Sequence, residues 1–213
     1  MEGIYAIYKP SGMTSHDVIY RLRRLTGVKR IGHAGTLDPL ARGVLVVGIG
    51  KTYTRLLHTI MKTEKEYIVE AHLGEFSETD DAEGKKITGS FQVKPSKEDT
   101  LQALEKFQGD IMLAPPVYSA IKVKGRRAYA LAREGKDVQL EKRPSHINAV
   151  EWLSYDWPKL RFRVVTGSGV YVRSIVRKLG EDLACGAYVA DLERTRVGDY
   201  SAEEAKRIED LLF

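Results

Sequence analysis

Gly32-His33-Ala34-Gly35-Thr36-Leu37-Asp38-Pro39-Leu40-Ala41-Arg42-Gly43-Val44-Leu45 sets one carboxylate inside a glycine-rich loop that runs straight into an apolar strand. The glycines remove bulk where a ligand or another backbone approaches closely, and Pro39 fixes a torsion just after the acid. Asp38 is therefore a candidate site residue. Asp before Pro is also ordinary turn chemistry, so these residues alone fit either a site or a capped turn. The uninterrupted run Val44-Leu45-Val46-Val47 reads as a buried strand.

On the N-terminal side, residues 4–8 form a short apolar strand stopped by Lys9-Pro10-Ser11-Gly12. A helix follows, capped by Thr14 or Ser15, with Val18, Ile19, Leu22 and Leu25 at helical spacing and Gly27 at its end. Its Arg21, Arg23 and Arg24 read as a solvated face. On the C-terminal side, Tyr67–Leu73 reads as a strand and residues 77–89 as an acidic surface loop. Ser96 with Asp99 resembles a capping box opening a helix through Leu101, Leu104 and Phe107, closed by Gly109. Pro115-Pro116 precedes a basic segment from Lys122 to Arg143. Leu160, Phe162 and Val164 alternate with Arg161, Arg163 and Val165, a half-exposed strand. Ile175, Val176, Leu179 and Leu183 mark an amphipathic helix, Leu192 lies in a strand-like stretch, and a last helix is expected near residues 201–212. Strands and helices mix without strict alternation and without repeats, which predicts an α+β sheet rather than a doubly wound one.

Thirty-four Lys and Arg against 29 acids give a net charge of +5, which favours a polyanionic partner. One cysteine, Cys185, excludes an internal disulfide framework and suits a reducing compartment. No apolar run approaches a membrane span and the N-terminus has neither the charged nor the apolar region of a signal peptide, so a cytoplasmic protein is expected. His16, His33, His58, His72 and His146 have no second ligand at metal-site spacing, so neither metal nor cofactor is expected. Gly48-Ile-Gly-Lys-Thr52 suggests a phosphate loop but lacks the required glycine, that position being Leu45; it reads as a strand exit.

Asp38, Tyr67, Tyr171 and Arg173 supply an acid, two aromatic faces and a permanent cation. A buried carboxylate needs a cation beside it, which Arg provides in a two-point pair, and tyrosine offers a face on which a nucleobase can stack. Taken singly, each tyrosine also fits an ordinary core or strand position.

Six motifs in order extend this pattern: Lys9-Pro-Ser-Gly-Met-Thr-Ser15, Gly32–Leu45, Lys65-Glu-Tyr67, Ala114-Pro-Pro-Val-Tyr-Ser-Ala-Ile-Lys122, Gly169-Val-Tyr-Val-Arg173 and Leu192-Glu-Arg-Thr-Arg196. The chain resembles the TruB family of tRNA pseudouridine synthases over nearly its whole length. That resemblance implies a pseudouridine synthase catalytic fold, a mixed, mainly antiparallel sheet flanked by helices, with a thumb-like RNA-binding insertion at about 113–145. It implies isomerisation of a T-loop uridine, position 55 of tRNA, without cofactor. Asp38 would be the nucleophile, Tyr67 the residue stacked on the target base and a candidate for assisting proton removal, and Arg173 the partner of Asp38. His33 would help displace the flipped nucleotide, Tyr171 and Leu192 would complete the uracil pocket, and Lys9 would support the catalytic loop. Lys122, Lys124, Arg126 and Arg127 suit RNA phosphates.

Ala34 and Arg42 stand where the family commonly has threonine, and Ser168 where a lysine is usual; Arg42 is a candidate to take over the lost phosphate contact. The family's typical bacterial members continue into a C-terminal PUA-type module, so residues 1–213 are expected to be a single catalytic domain without one. A monomer that binds the tRNA T-arm and needs no protein partner is expected. The rival readings are a tRNA-binding folding factor without turnover and a guide-directed pseudouridine synthase within a ribonucleoprotein.

Overall fold

The computed structural model describes residues 2–87, 94–123 and 125–211. Its elements are β1 (Gly3–Lys9), α1 (Ser15–Thr26), β2 (Ile31–His33), β3 (Arg42–Ile49), α2 (Lys51–Met61), β4 (Lys65–Leu73), β5 (Phe76–Ser77), β6 (Lys86–Ile87), α3 (Lys97–Glu105) and β7 (Gly109–Leu113). After these come β8 (Lys122–Val123), β9 (Arg126–Arg127), α4 (Ala128–Arg133), β10 (Arg143–Asp156), β11 (Lys159–Thr166), α5 (Val172–Asp182), β12 (Ala187–Val197), β13 (Tyr200–Ser201) and a 3₁₀ turn at Ile208–Asp210. The chain divides into two compact units. Residues 1–69, 163–168 and 191–213 form the first; residues 70–162 and 169–190 form the second.

In the first unit β3 is the central strand. β1 pairs with it antiparallel from Gly3↔Ile49 to Lys9↔Gly43, β2 pairs antiparallel with its far end, and β12 joins it parallel at Arg194↔Gly43. β13 returns antiparallel on β12. The apolar run of β3 is continuous because both of its faces are covered. Leu45, Val47 and Ile49 pack with Val18, Ile19 and Leu22 of α1, while Val44 and Val46 pack with Leu57 of α2. Thr14 caps α1 in a reciprocal capping box with Asp17, and Gly27, left-handed at φ 69°, ends it.

α2 starts directly at Lys51, with Gly50 as its N-cap. Gly48-Ile-Gly-Lys-Thr52 is thus a strand exit as expected, and the helix that follows was not anticipated. A β-carbon on Gly48 would lie 2.9 Å from the Tyr53 carbonyl oxygen, so glycine lets the first turn of α2 settle on the strand.

In the second unit β10 pairs antiparallel with β7, from Arg143↔Leu113 to Ile147↔Gly109, and β5 with β6 and β8 with β9 form short antiparallel ladders. Ser96 caps α3 through the Asp99 amide, as read from the sequence. Lys106, rather than Gly109, closes it; Gly109, at φ 101°, opens β7. The mixed, mainly antiparallel sheet flanked by helices agrees with the expected fold class.

Two other expectations are corrected. Residues 77–87 are a surface loop only in part: Glu78, Ala82, Glu83, Lys85 and Ile87 are exposed, but Asp80 and Asp81 are only 7% and 3% exposed; residues 88 and 89 lie outside the described residues. Their charge is matched by arginines of α5, so an acidic composition conceals buried ion pairs. The terminal helix is replaced by β13, a turn and the 3₁₀ segment. Lys206 exchanges backbone hydrogen bonds with Ala6 and Tyr8 instead of continuing a helix. The expected helix's last residue, 212, is outside the described set.

Candidate active site

The Asp38 loop lies in the first unit and is fastened along its main chain by the segment after β1. The Ser15 hydroxyl accepts from the Leu37 amide at 2.8 Å and donates to the Leu37 carbonyl at 3.0 Å. The Gly12 amide donates to the Pro39 carbonyl at 2.8 Å, and the Ser11 hydroxyl donates to the Leu40 carbonyl at 2.8 Å. Lys9, 0% exposed, donates from Nζ to the carbonyls of Met13 (2.6 Å), Pro10 (2.9 Å) and Pro39 (3.4 Å). The Ala41 amide closes the turn on the Asp38 carbonyl at 3.1 Å. The first two sequence motifs are therefore one piece of structure: Lys9–Ser15 supplies the donors and acceptors that the bent 37–41 backbone lacks in itself. Asp38 itself is half-buried.

His33 ends β2 and enters this loop. Burial, followed by the cations of Arg194 and His16, holds its pKa below the ordinary value, favouring the neutral ring. Tyr67 is buried on the inward face of β4 with Lys65. Burial and Arg194 push the Lys65 ammonium down to about 8, and it donates to the Met61 and Thr63 carbonyls at 2.5 Å. Leu192 is buried on β12. Arg42 does not offer a free cation for phosphate. It pairs with Asp191, and with Glu193 at 3.2 Å, while the Tyr8 hydroxyl donates to Glu193 at 2.8 Å. Two carboxylates already balance it. Ser168, at the position where lysine was expected, donates to the Met61 carbonyl at 3.0 Å.

Arg173 and Tyr171 belong to the second unit, Tyr171 as N-cap of α5 and Arg173 in its first turn. The buried Arg173 guanidinium donates to the carbonyls of Thr79 (2.9 Å) and Tyr118 (3.1 Å) and lies 3.6 Å from the Asp81 carboxylate. One turn on, Arg177 pairs with Asp80 at 2.5 Å and donates to the Ala114 carbonyl at 2.5 Å, which also accepts from Ser174 at 2.7 Å. α5 thus ties down both the 79–81 turn and the 114–118 segment. Burial pushes the Asp80 carboxyl up to about 6 against the opposing pull of Arg177 and Arg173. Asp80, Asp81 and Arg177 were missed in the sequence. The available signal was two adjacent acids followed by Gly84 within an otherwise solvated stretch.

Lys122, Arg126 and Arg127 are exposed on the β8–β9 ladder. Arg126 pairs with the exposed Glu134, and Arg127 donates to the Ala120 carbonyl at 2.5 Å. Lys124 lies outside the described residues. Among the described residues no group of three or more His, Cys, Asp or Glu could hold a metal ion, and no helix is long and apolar enough to cross a membrane.

The family model described as TruB family pseudouridylate synthase, N-terminal domain, matches residues 23–172. The chain belongs to the TruB family. The model for the tRNA pseudouridylate synthase B C-terminal domain matches residues 173–213 of this TruB member. Relatives named tRNA pseudouridine synthase B include one from Clostridium acetobutylicum, 42% identical over 99% of this chain and 72% of its own length. Another, from Protochlamydia amoebophila, is 44% identical over 95% of this chain and 77% of its own length. Among solved structures, a chain of a Cbf5–Nop10–Gar1 complex is 27% identical with a TM-score of 0.77, covering 98% of this chain and 53% of that one. A crystal structure of a pseudouridylate synthase at 19% identity and a TM-score of 0.51 shares the fold. As a TruB family member the chain is a pseudouridine synthase, an isomerase.

Proposed function

We propose that this enzyme converts a T-loop uridine of tRNA, position 55, to pseudouridine, with Asp38 as nucleophile. The observation that carries the reading is the agreement of relatives named tRNA pseudouridine synthase B, matching 95% and 99% of this chain, with an acid set in a loop pinned on several sides. Extruding a uridine from a folded loop costs a few kcal/mol in lost stacking. In this reading a neutral His33 occupies the space the base leaves, and Tyr67 stacks on the flipped ring. Asp38 attacks the nucleoside covalently, the N1–C1′ bond breaks, the uracil turns, a C5–C1′ bond forms, and the bond to Asp38 breaks to return the free carboxylate. Loss of the C5 proton, with a proton gained at N1, completes the isomer.

Arg173 holds the Asp38 carboxylate ionised and oriented; Asp81 and Thr79 set the guanidinium for that task. Tyr171 and Leu192 bound the uracil, Lys9 keeps the loop in place, and Lys122, Lys124, Arg126 and Arg127 of the 113–145 insertion meet phosphates of the T-arm. Arg126 can exchange Glu134 for phosphate at small cost, because an exposed pair is weak.

The test is pseudouridine mapping on an unmodified tRNA transcript incubated with the purified chain alone. Position 55 is expected to be modified, and Asp38→Asn to abolish this while keeping RNA affinity within a few-fold. No modification by the chain alone would return the reading to a folding factor or a guide-directed enzyme.

A further inference from the structure

Arg194 is the largest fully buried side chain of the described residues, at 2% exposure, and none of the roles above uses it. It rises from β12 beneath the Asp38 loop. Its Nε donates to the Val44 carbonyl at 2.8 Å and its Nη2 to the Gly35 carbonyl at 3.0 Å. Among the described residues no carboxylate pairs with it, and the charged groups that respond to it, His33 and Lys65, are themselves cations or potential cations. An arginine cannot shed its proton, and an unpaired guanidinium taken out of water is costly. Among the described residues this one has no counter-charge.

The remaining nitrogen, Nη1, lies 3.7 Å from the point that a β-carbon on Gly35 would occupy. Gly35 has φ 93°, a conformation other residues rarely adopt, so this position carries no side chain. The result is a side-chain-free notch where, apart from its chain neighbours and among the described residues, only the end of this fixed cation comes within 4 Å of a β-carbon position. It is bordered by His33, whose buried Nδ1 has no hydrogen bond of standard geometry among the described residues. Gly35 is three residues from Asp38, at most about 11 Å along the chain, a span that a nucleotide and its neighbour bridge. The missing counter-charge, the open notch and this distance call for an anion attached to whatever reaches Asp38.

We propose that Arg194 Nη1 and the Gly35 notch form a subsite for one phosphodiester of the RNA substrate next to the target uridine. This rests on the reading of Asp38 as the residue that receives the uridine. Arg194 supplies a charge-assisted hydrogen bond from a guanidinium whose Nε and Nη2 are already held by the Val44 and Gly35 carbonyls. The phosphate supplies the charge that the fold leaves out.

The experiment uses the full chain and a T-arm stem-loop RNA, with single uncharged methylphosphonate linkages placed in turn on either side of the target uridine. Binding is followed by fluorescence anisotropy at one fixed salt concentration. One linkage is expected to weaken binding to the wild-type protein about tenfold when neutralised. Arg194→Gln should weaken binding of the unmodified RNA by a similar factor, and the two losses should not multiply. Arg194→Lys, which keeps the buried charge and most of the stem, serves if the Gln protein does not melt cooperatively. Losses that multiply, or a wild-type protein that binds every neutralised RNA as tightly as the parent, would overturn the subsite. Isomerisation of the unmodified stem-loop is read separately, so failure of the catalytic reading shows there and not in the linkage scan.

Discussion

Replacing Ser15 by alanine tests whether the Asp38 loop is held by its fasteners. The Ser15 hydroxyl is buried and serves the Leu37 amide at 2.8 Å and the Leu37 carbonyl at 3.0 Å. Removing it strands a donor and an acceptor together, each costing about 1–3 kcal/mol when buried without a partner. Backbone relaxation recovers part of that, leaving about 2 kcal/mol. For a chain of this size such a loss lowers the melting temperature by roughly 4–8 °C. Ser15 does not itself take part in the proposed chemistry, yet the loop it holds does. Displacement of a reacting group by about 1 Å can cost about a hundredfold in rate, so single-turnover isomerisation with enzyme in excess should slow by roughly tenfold or more while RNA affinity stays near the parent value. Ser15→Thr retains the hydroxyl and should recover most of both losses. An alanine variant with parental melting and parental single-turnover rate would refute the view that this pair positions the loop.

Arg173→Lys keeps the charge but cannot donate to the Thr79 and Tyr118 carbonyls in fork geometry, and its single-turnover rate should fall by well over tenfold; a near-parental rate would show that charge alone suffices. Asp81→Asn removes the carboxylate beside Arg173 and should slow catalysis more than it weakens binding, as read from kcat and KM measured separately. Tyr67→Phe should preserve binding and flipping and Tyr67→Leu should not, followed by a fluorescent base analogue at the target position; equal damage in both would assign the role to the hydroxyl. His33 is held below its ordinary value of 6.5, so the unfolded chain takes up more protons as pH falls through about 6.5. Wild type should therefore lose more stability than His33→Gln between pH 7.5 and 5.5, measured by thermal melting. Asp80, near 6, titrates in the same range but is common to both proteins.

The local grammar of the chain was legible where one residue decides an element. Thr14 and Gly27 bound α1, and Leu160, Phe162 and Val164 are buried on β11 as their alternation requires. Reading failed where partners are distant in sequence. Asp80 and Asp81 look solvated until α5 brings Arg177 and Arg173 to them, and the 14 residues of β10 alternate too weakly to announce a strand that takes its register from β7. Asp38 stood out because glycine and proline encode backbone shape locally. The ties from Lys9, Ser11 and Ser15 could not be read from spacing, since each is a side chain reaching a main-chain atom more than twenty residues away.

Those ties also decide when the ordering of residues 37–41 is paid for in entropy. Gly12, Ser11, Ser15 and Lys9 hold the strand-to-strand bend before any RNA arrives, so its conformational freedom is given up during folding, at about 1–2 kcal/mol per residue. Encounter with substrate need not supply that free energy. In the proposed reading, what binding does supply can go to unstacking the uridine, and Asp38 meets each new substrate in a loop already preorganised.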